Sequence, residues 1–319
     1  MKLIKPPALR AGDRIAVIAP SSPFPAGEFD AGIAELRSLG LEPVFDDRVF
    51  ARDGYVAGDA VSRARAFLEA WTDPSVRAIA CARGGYGSAQ LLPWLSAEVL
   101  RRTPTLLIGY SDVTALLAFV TTRCGMTAVH GPTVAGPLAG GAGGYDRGSL
   151  LDALGVAPAG AAGRERAVET LKNGAARGPL FGGNLTQLAA TLGTPYAFDP
   201  PPGCVLFLED VNERPYRLDR MLTQLQQAGI LSRAAGLVFG EMPGCDEPDG
   251  SVRAIDAVAR CLREFAGPVA WGLSAGHAAR PAVSLPLGVP VSLACGRRAL
   301  LTVEESAAGE PGPAGGGAP

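Results

Sequence analysis

Along residues 1–137, short apolar runs alternate with stretches in which apolar positions return every three to four residues. That alternation is the mark of a parallel sheet wrapped by helices. Arg14 to Ala19 reads as a strand. Phe29 to Leu39 reads as a helix, with Ile33, Leu36 and Leu39 on one face and Gly40 where a helix C-terminus favours glycine. A helix over Ala60 to Trp71 leads into strand Val76 to Cys81. Strand Thr105 to Ile108, a helix from Asp112 to about Arg123 and strand Thr127 to His130 follow. The pattern predicts an open, mostly parallel α/β domain with flanking helices over residues 1–137.

Residues 138–178 are rich in Gly and Ala, with one weak helical pattern from Ser149 to Leu154, and read as a connecting segment. A second apolar regime occupies residues 179–306. Asn184 is placed to cap a helix Leu185 to Leu192, Gln187 to complete a reciprocal cap, and Gly193 to follow its end. Val205 to Leu208 reads as a strand. Pro215 opens a helix with Leu218, Met221, Leu222 and Leu225 on one face. Further strands, Gly236 to Phe239, Val269 to Leu273 and Val291 to Ala294, are separated by Gly and Pro turns. The expectation is a smaller mixed α/β or barrel-like domain. Residues 307–319 contain only Gly, Ala and Pro with one Glu, and are expected to be a disordered tail.

Composition narrows the functional classes. At 319 residues, with 47% hydrophobic and 19% charged positions, the chain can bury the core of one or two globular domains. Its net charge of -2, with no cluster of Lys or Arg, leaves no footprint for nucleic acid or an anionic membrane. The first apolar run, Ile15 to Ala19, is too short for a signal core or a membrane span, so a cytosolic protein is expected. Six scattered cysteines without C-x-x-C spacing argue against a zinc site and against a disulfide framework, and read as small buried residues.

The segment Gly109-Tyr110-Ser111-Asp112-Val113-Thr114 puts a serine on the turn between a buried strand and the next helix. A nucleophile there is exposed at the carboxyl edge of the sheet, and the N–H of Asp112 opens a helix where it can face a developing oxyanion. The plainer alternative is a Ser N-cap with Asp112 favouring the positive helix end. The hydrolase pattern G-x-S-x-G is incomplete, because Val113 stands at its last position. After strand Val76 to Cys81, Arg83-Gly84-Gly85-Tyr86-Gly87 has adjacent glycines able to turn backbone N–H groups into a cavity. It can be an oxyanion loop or a tight turn, and it fits neither the dinucleotide fingerprint nor the P-loop. Two histidines exist. His277 lies in a loop after an apolar strand, where a general base can face a cleft, whereas His130 lies at the end of a strand. Glu209 closes strand Val205 to Leu208 and is placed either to orient an imidazole or to be solvated at the strand end.

Together with His130-Gly131-Pro132, Gly182-Gly183-Asn184-Leu185, Leu208-Glu209-Asp210-Val211 and Gly276-His277, these segments resemble the LD-carboxypeptidase family, in order and over about residues 10–300. That family includes muramoyl-tetrapeptide carboxypeptidases and microcin-immunity peptidases. The resemblance implies a triad of Ser111, Glu209 and His277, oxyanion donors at the N–H groups of Gly85 and Asp112, no metal or organic cofactor, and a homodimer. It implies release of terminal D-alanine from a murein tetrapeptide, or, in the other branch, cleavage of aminoacyl nucleotides. A substrate carboxylate needs a cation, for which Arg83 and Arg280 are candidates. Two readings of other classes stand beside it: a nicotinamide-dependent enzyme and a non-enzymatic two-lobed ligand-binding protein.

Overall fold

The computed structural model describes residues 3–156, 164–279 and 281–310. Among the described residues thirteen strands divide between two sheets. The N-terminal part contains β1 (Arg14–Ile18), β2 (Glu42–Val44), β3 (Val76–Cys81), β4 (Leu106–Gly109) and β5 (Ala128–His130). Around them lie α1 (Ala26–Ser38), α2 (Ala60–Thr72), α3 (Ala97–Arg102), α4 (Thr114–Ala118) and α5 (Arg147–Ala153). The second part contains β6 (Glu165–Lys172), β7 (Gly174–Asn184), β8 (Cys204–Glu209), β9 (Ala234–Gly240), β10 (Val269–Leu273), β11 (Leu285–Leu287), β12 (Pro290–Cys295) and β13 (Ala299–Val303). Its helices are α6 (Leu185–Thr191), α7 (Pro215–Gln227) and α8 (Ala254–Cys261).

The first sheet has the order β11-β5-β4-β3-β1-β2 and is parallel except for β11, which returns from the second half of the chain and pairs antiparallel with β5. Its central strands are buried, β4 along its whole length and β3 at every position but half-buried Arg77, as a sheet covered on both faces requires. The second sheet closes on itself in the order β10-β6-β13-β12-β7-β8-β9, so the barrel-like expectation is met by a closed barrel. Inward residues such as Val205, Phe207, Val238 and Ala270 fill its core, while α6, α7 and α8 cover the opposite face of β8 and β9 through Leu188, Leu218, Leu222 and Val258.

Two stretches differ from the sequence expectation. The Gly/Ala-rich segment 138–178 contains α5, all of β6 and the start of β7. Gly178 in this segment, and Gly182 farther along β7, sit where strand backbones approach closely. A Cβ at Gly178 would lie 2.0 Å from the Gly203 carbonyl oxygen, and one at Gly182 only 1.9 Å from that of Phe207. Ala307 and Ala308 are buried rather than part of a loose tail: Thr127 donates to the Ala307 carbonyl at 2.6 Å and the Gly309 N–H to Pro6 at 2.8 Å. Residues 311–319 lie outside the described residues. Among the described residues no helix is long and apolar enough to cross a membrane. The cysteines are free thiols, buried except for half-buried Cys261.

Candidate active site

Strand β4 delivers its chain into a sharp turn at Ser111, whose φ of 61° is the left-handed region that a non-glycine residue adopts only under constraint. The constraint comes from both sides. Val113 packs so closely over Gly109 that a Cβ there would lie 2.7 Å from its side chain, and Gly84 lets the neighbouring loop approach until a Cβ would lie 3.1 Å from Ser111 Oγ. The half-buried hydroxyl therefore sits at the C-terminal end of the sheet, with the loop 84–87 against it and α4 beyond. Gly85, at φ 102°, runs over Ser22, whose Oγ would be 2.4 Å from any Cβ at that position.

The barrel contributes the other groups. Glu209 is the last residue of β8 and is 1% exposed. Room for its carboxylate is made by two glycines, since a Cβ at Gly240 would lie 2.7 Å from Glu209 Cβ and one at Gly276 2.7 Å from its Cδ. Glu209 Oε2 accepts from both the backbone N–H of His277 at 3.1 Å and ring Nδ1 at 2.8 Å. A carboxylate can only accept here, so Nδ1 carries the hydrogen and Nε2 presents its lone pair. Asn184 Nδ2 donates to Glu209 Oε1 at 3.3 Å and to Asp210 Oδ1 at 3.1 Å, while its Oδ1 accepts the Gln187 N–H at 3.1 Å. The expected cap is thus present, but it is not reciprocal: the Asn184 N–H bonds to Thr114 Oγ1 at 3.1 Å. That bond fastens the end of barrel strand β7 to the helix following Ser111.

These contacts set the charges. Burial pushes the Glu209 carboxyl up, yet the His277 hydrogen bond and charge outweigh it and hold the group below the usual range. For His277 burial pushes down, and the Glu209 hydrogen bond and charge win, raising it above the ordinary imidazole value. His130 is different. It is wholly buried between Tyr110 and Phe207, ring centroids 6.1 and 5.1 Å away, and burial lowers it to about 4.

Of the residues named from sequence, Ser111, Gly85, Asp112, Glu209 and His277 converge on one region. The Tyr110 ring links the two halves, lying 5.0 Å from that of His277. Among the described residues Ser111 Oγ makes no hydrogen bond to His277. Catalytic hydrogen bonds of this kind often tighten only with substrate present. Arg83 is exposed beside this region, donates to the Pro23 carbonyl at 3.2 Å, and has no carboxylate partner among the described residues. Arg280 lies outside the described residues. Asn184, Asp210 and Tyr110 are not among the site residues named from sequence. Asn184 was legible as a cap, but nothing local signals that its amide also reaches a carboxylate on another strand.

Residues 15–131 match the model of the LD-carboxypeptidase N-terminal domain and residues 177–293 that of the C-terminal domain. A carboxypeptidase-named chain of Streptomyces coelicolor is 38% identical over 297 residues, 92% of this chain and 94% of that one. The murein tetrapeptide carboxypeptidase of Pseudomonas aeruginosa is 33% identical, covering 84% of this chain and 89% of its own. Among solved structures, a muramoyltetrapeptide carboxypeptidase from Oxalobacter formigenes superposes with a TM-score of 0.78 at 28% identity, over 94% of this chain and 100% of that one. The microcin C7 self-immunity protein MccF shares the fold, with a TM-score of 0.84 at 22% identity over 95% and 99% of the two chains. With both halves matched in order, and with relatives of this identity aligned along nearly its whole length, the chain belongs to the LD-carboxypeptidase family of serine peptidases.

Proposed function

We propose that the protein hydrolyses the L,D peptide bond that releases terminal D-alanine from murein tetrapeptides, with Ser111 as nucleophile, His277 as base and Glu209 orienting the imidazole. The observation that carries this reading is the 2.8 Å Glu209–His277 contact at the mouth where the strained Ser111 turn emerges. Substrate binding closes the remaining gap. His277 Nε2 then takes the Oγ proton as Ser111 attacks the carbonyl, and the same proton passes to the leaving D-alanine nitrogen. The N–H groups of Gly85 and Asp112 stabilise the oxyanion, and water activated by His277 releases the acyl group. Arg83, which among the described residues has no carboxylate partner and is held only by the Pro23 carbonyl, receives the terminal carboxylate; Arg280 is the second candidate for that role.

The pH profile follows from the charges. A base must be neutral, so kcat/KM should fall on the acid side as pH drops through the raised His277 value. In Glu209→Gln the raising charge is gone and burial remains. The acid limb should move to lower pH while the plateau drops on the order of 10⁴-fold, the cost of losing tautomer control in such triads. A limb that stays in place in this variant contradicts the assigned pair.

Within the family, the relatives leave a nucleotide-cleaving alternative. An aminoacyl nucleotide profits from an aromatic ring stacked on its base, worth about 1–3 kcal/mol. The segment from Leu138 to Gly178 has one aromatic residue, Tyr145, and that ring is buried with its hydroxyl donating to Glu35 at 2.5 Å. The alternative is favoured by one feature, the exposed Tyr55–Tyr86 edge pair beside Gly85, with centroids 5.4 Å apart. Parallel kcat/KM measurements on murein tetrapeptide and an aminoacyl nucleotide should favour the tetrapeptide. A clear preference for the nucleotide overturns the substrate and leaves the triad in place.

A further inference from the structure

The loop against Ser111 is held by two charges that the reaction does not use. Arg63, on α2, is 4% exposed, and Asp112 is 2% exposed. Arg63 Nη1 donates to the carbonyls of Gly87, at 2.8 Å, and Pro20, its Nε to Gly58 at 2.9 Å and its Nη2 to Gln90. Asp112 Oδ2 accepts from the Ser88 N–H at 2.8 Å and from Ser21 Oγ at 2.6 Å, and the Asp112 carbonyl accepts from Ser88 Oγ at 2.5 Å. The Gly87 carbonyl and the Ser88 N–H belong to the same peptide group. One end of that peptide rests on a buried cation and the other on a buried anion. Gly87 touches the guanidinium so closely that a Cβ would lie 2.8 Å from Nη1. The Pro20–Ser21 pair is gripped by the same two residues, and the next residue, Ser22, accepts the Tyr86 N–H at 3.1 Å.

The geometry points to Arg63 and the Asp112 carboxylate as positioning residues that fix the two oxyanion donors relative to each other. The 87–88 peptide closes the glycine loop that carries the Gly85 N–H, and Asp112 supplies the other N–H from its own backbone. Its side chain is therefore not a helix-end charge but a strut from the nucleophile turn to the donor loop. Opposite charges in a buried site, each hydrogen-bonded, hold a peptide dipole more firmly than neutral partners do. A clamp of this kind acts on the transition state, where the oxyanion exists, and not on substrate binding. This inference rests on the serine-peptidase reading above.

The test compares wild type, Arg63→Lys and Asp112→Asn for tetrapeptide hydrolysis and for the rate of labelling by a fluorophosphonate, whose adduct places an oxygen in the same hole. Lysine keeps the charge but cannot fork to four carbonyl-type acceptors. Asparagine keeps the shape and the backbone N–H, so it tests the strut independently of whether Arg63→Lys folds. The expected result is a fall in kcat and in labelling rate of roughly ten- to a hundredfold, the scale of a small misplacement at a reacting centre, with KM within about threefold of wild type. A folded Asp112→Asn with wild-type kcat, or a rise in KM alone, overturns the clamp. A wild-type enzyme inert to both substrate and label would instead count against the serine-peptidase reading itself.

Discussion

Ser111→Ala should abolish labelling and reduce tetrapeptide turnover by a factor on the order of 10³ to 10⁶, with folding intact. The magnitude follows from the site. Only Oγ is lost, and the residue does not cap the helix that follows it, since no side-chain bond is made from this turn to the helix. Stability therefore does not depend on the hydroxyl. Alanine still has to occupy a φ of 61°, a strain the wild-type serine already bears, so the difference between the two folded states is small. Residual activity above the uncatalysed rate would come from the Gly85 and Asp112 donors and from substrate binding. Kinetics on the purified variant, checked against its thermal unfolding curve, measure both halves of this expectation.

The second large effect separates the histidines. His277→Ala should cost as much as the serine change, because nucleophile and base act as one unit, and the double variant should be little worse than either single one. His130→Asn should leave the chemistry largely in place and change stability instead. His130 is neutral in the folded protein, with its value lowered by burial to about 4 against 6.5 for an ordinary imidazole. A depressed histidine makes the folded state lose stability as pH falls, because the unfolded chain binds the proton first. Between about pH 6.5 and 4 the loss should reach roughly 3 kcal/mol. His130→Asn removes that particular slope. Unfolding curves at pH 7 and pH 4.5 for wild type and variant measure the difference. A His130 variant as inactive as His277→Ala would show that the base has been wrongly assigned.

The sequence was most legible where local pattern and burial agree. Strand β3 begins and ends where its apolar run predicts, and α7 starts at the Pro215 that marks its first turn. The Ser111 turn was legible because strand, Gly and Ser-Asp stand in a row. The barrel was less so. Strand β6 reads Glu-Arg-Ala-Val-Glu-Thr-Leu-Lys and is half exposed along most of its length, so alternation is weak, while β7 is rich in the glycines that close backbone packing demands. No local signal places Leu285–Leu287, a three-residue strand with a proline at its centre, on the edge of a sheet built more than 150 residues earlier. Long-range partners were illegible for the same reason. Glu209 could be picked out as a strand-end carboxylate, but its contact with Asn184 depends on two parallel barrel strands in register, and Arg63 reads from sequence as an ordinary helix arginine.

The central claim is that this site cleaves an L,D bond through Ser111. Its most direct test is rapid-quench mass spectrometry of the intact protein mixed with murein tetrapeptide, with free D-alanine assayed in the same samples. The account predicts a tripeptide acyl adduct on Ser111, appearing with D-alanine and decaying as tripeptide is released. D-alanine release that persists at wild-type rate in Ser111→Ala, with no adduct on the protein, would contradict it.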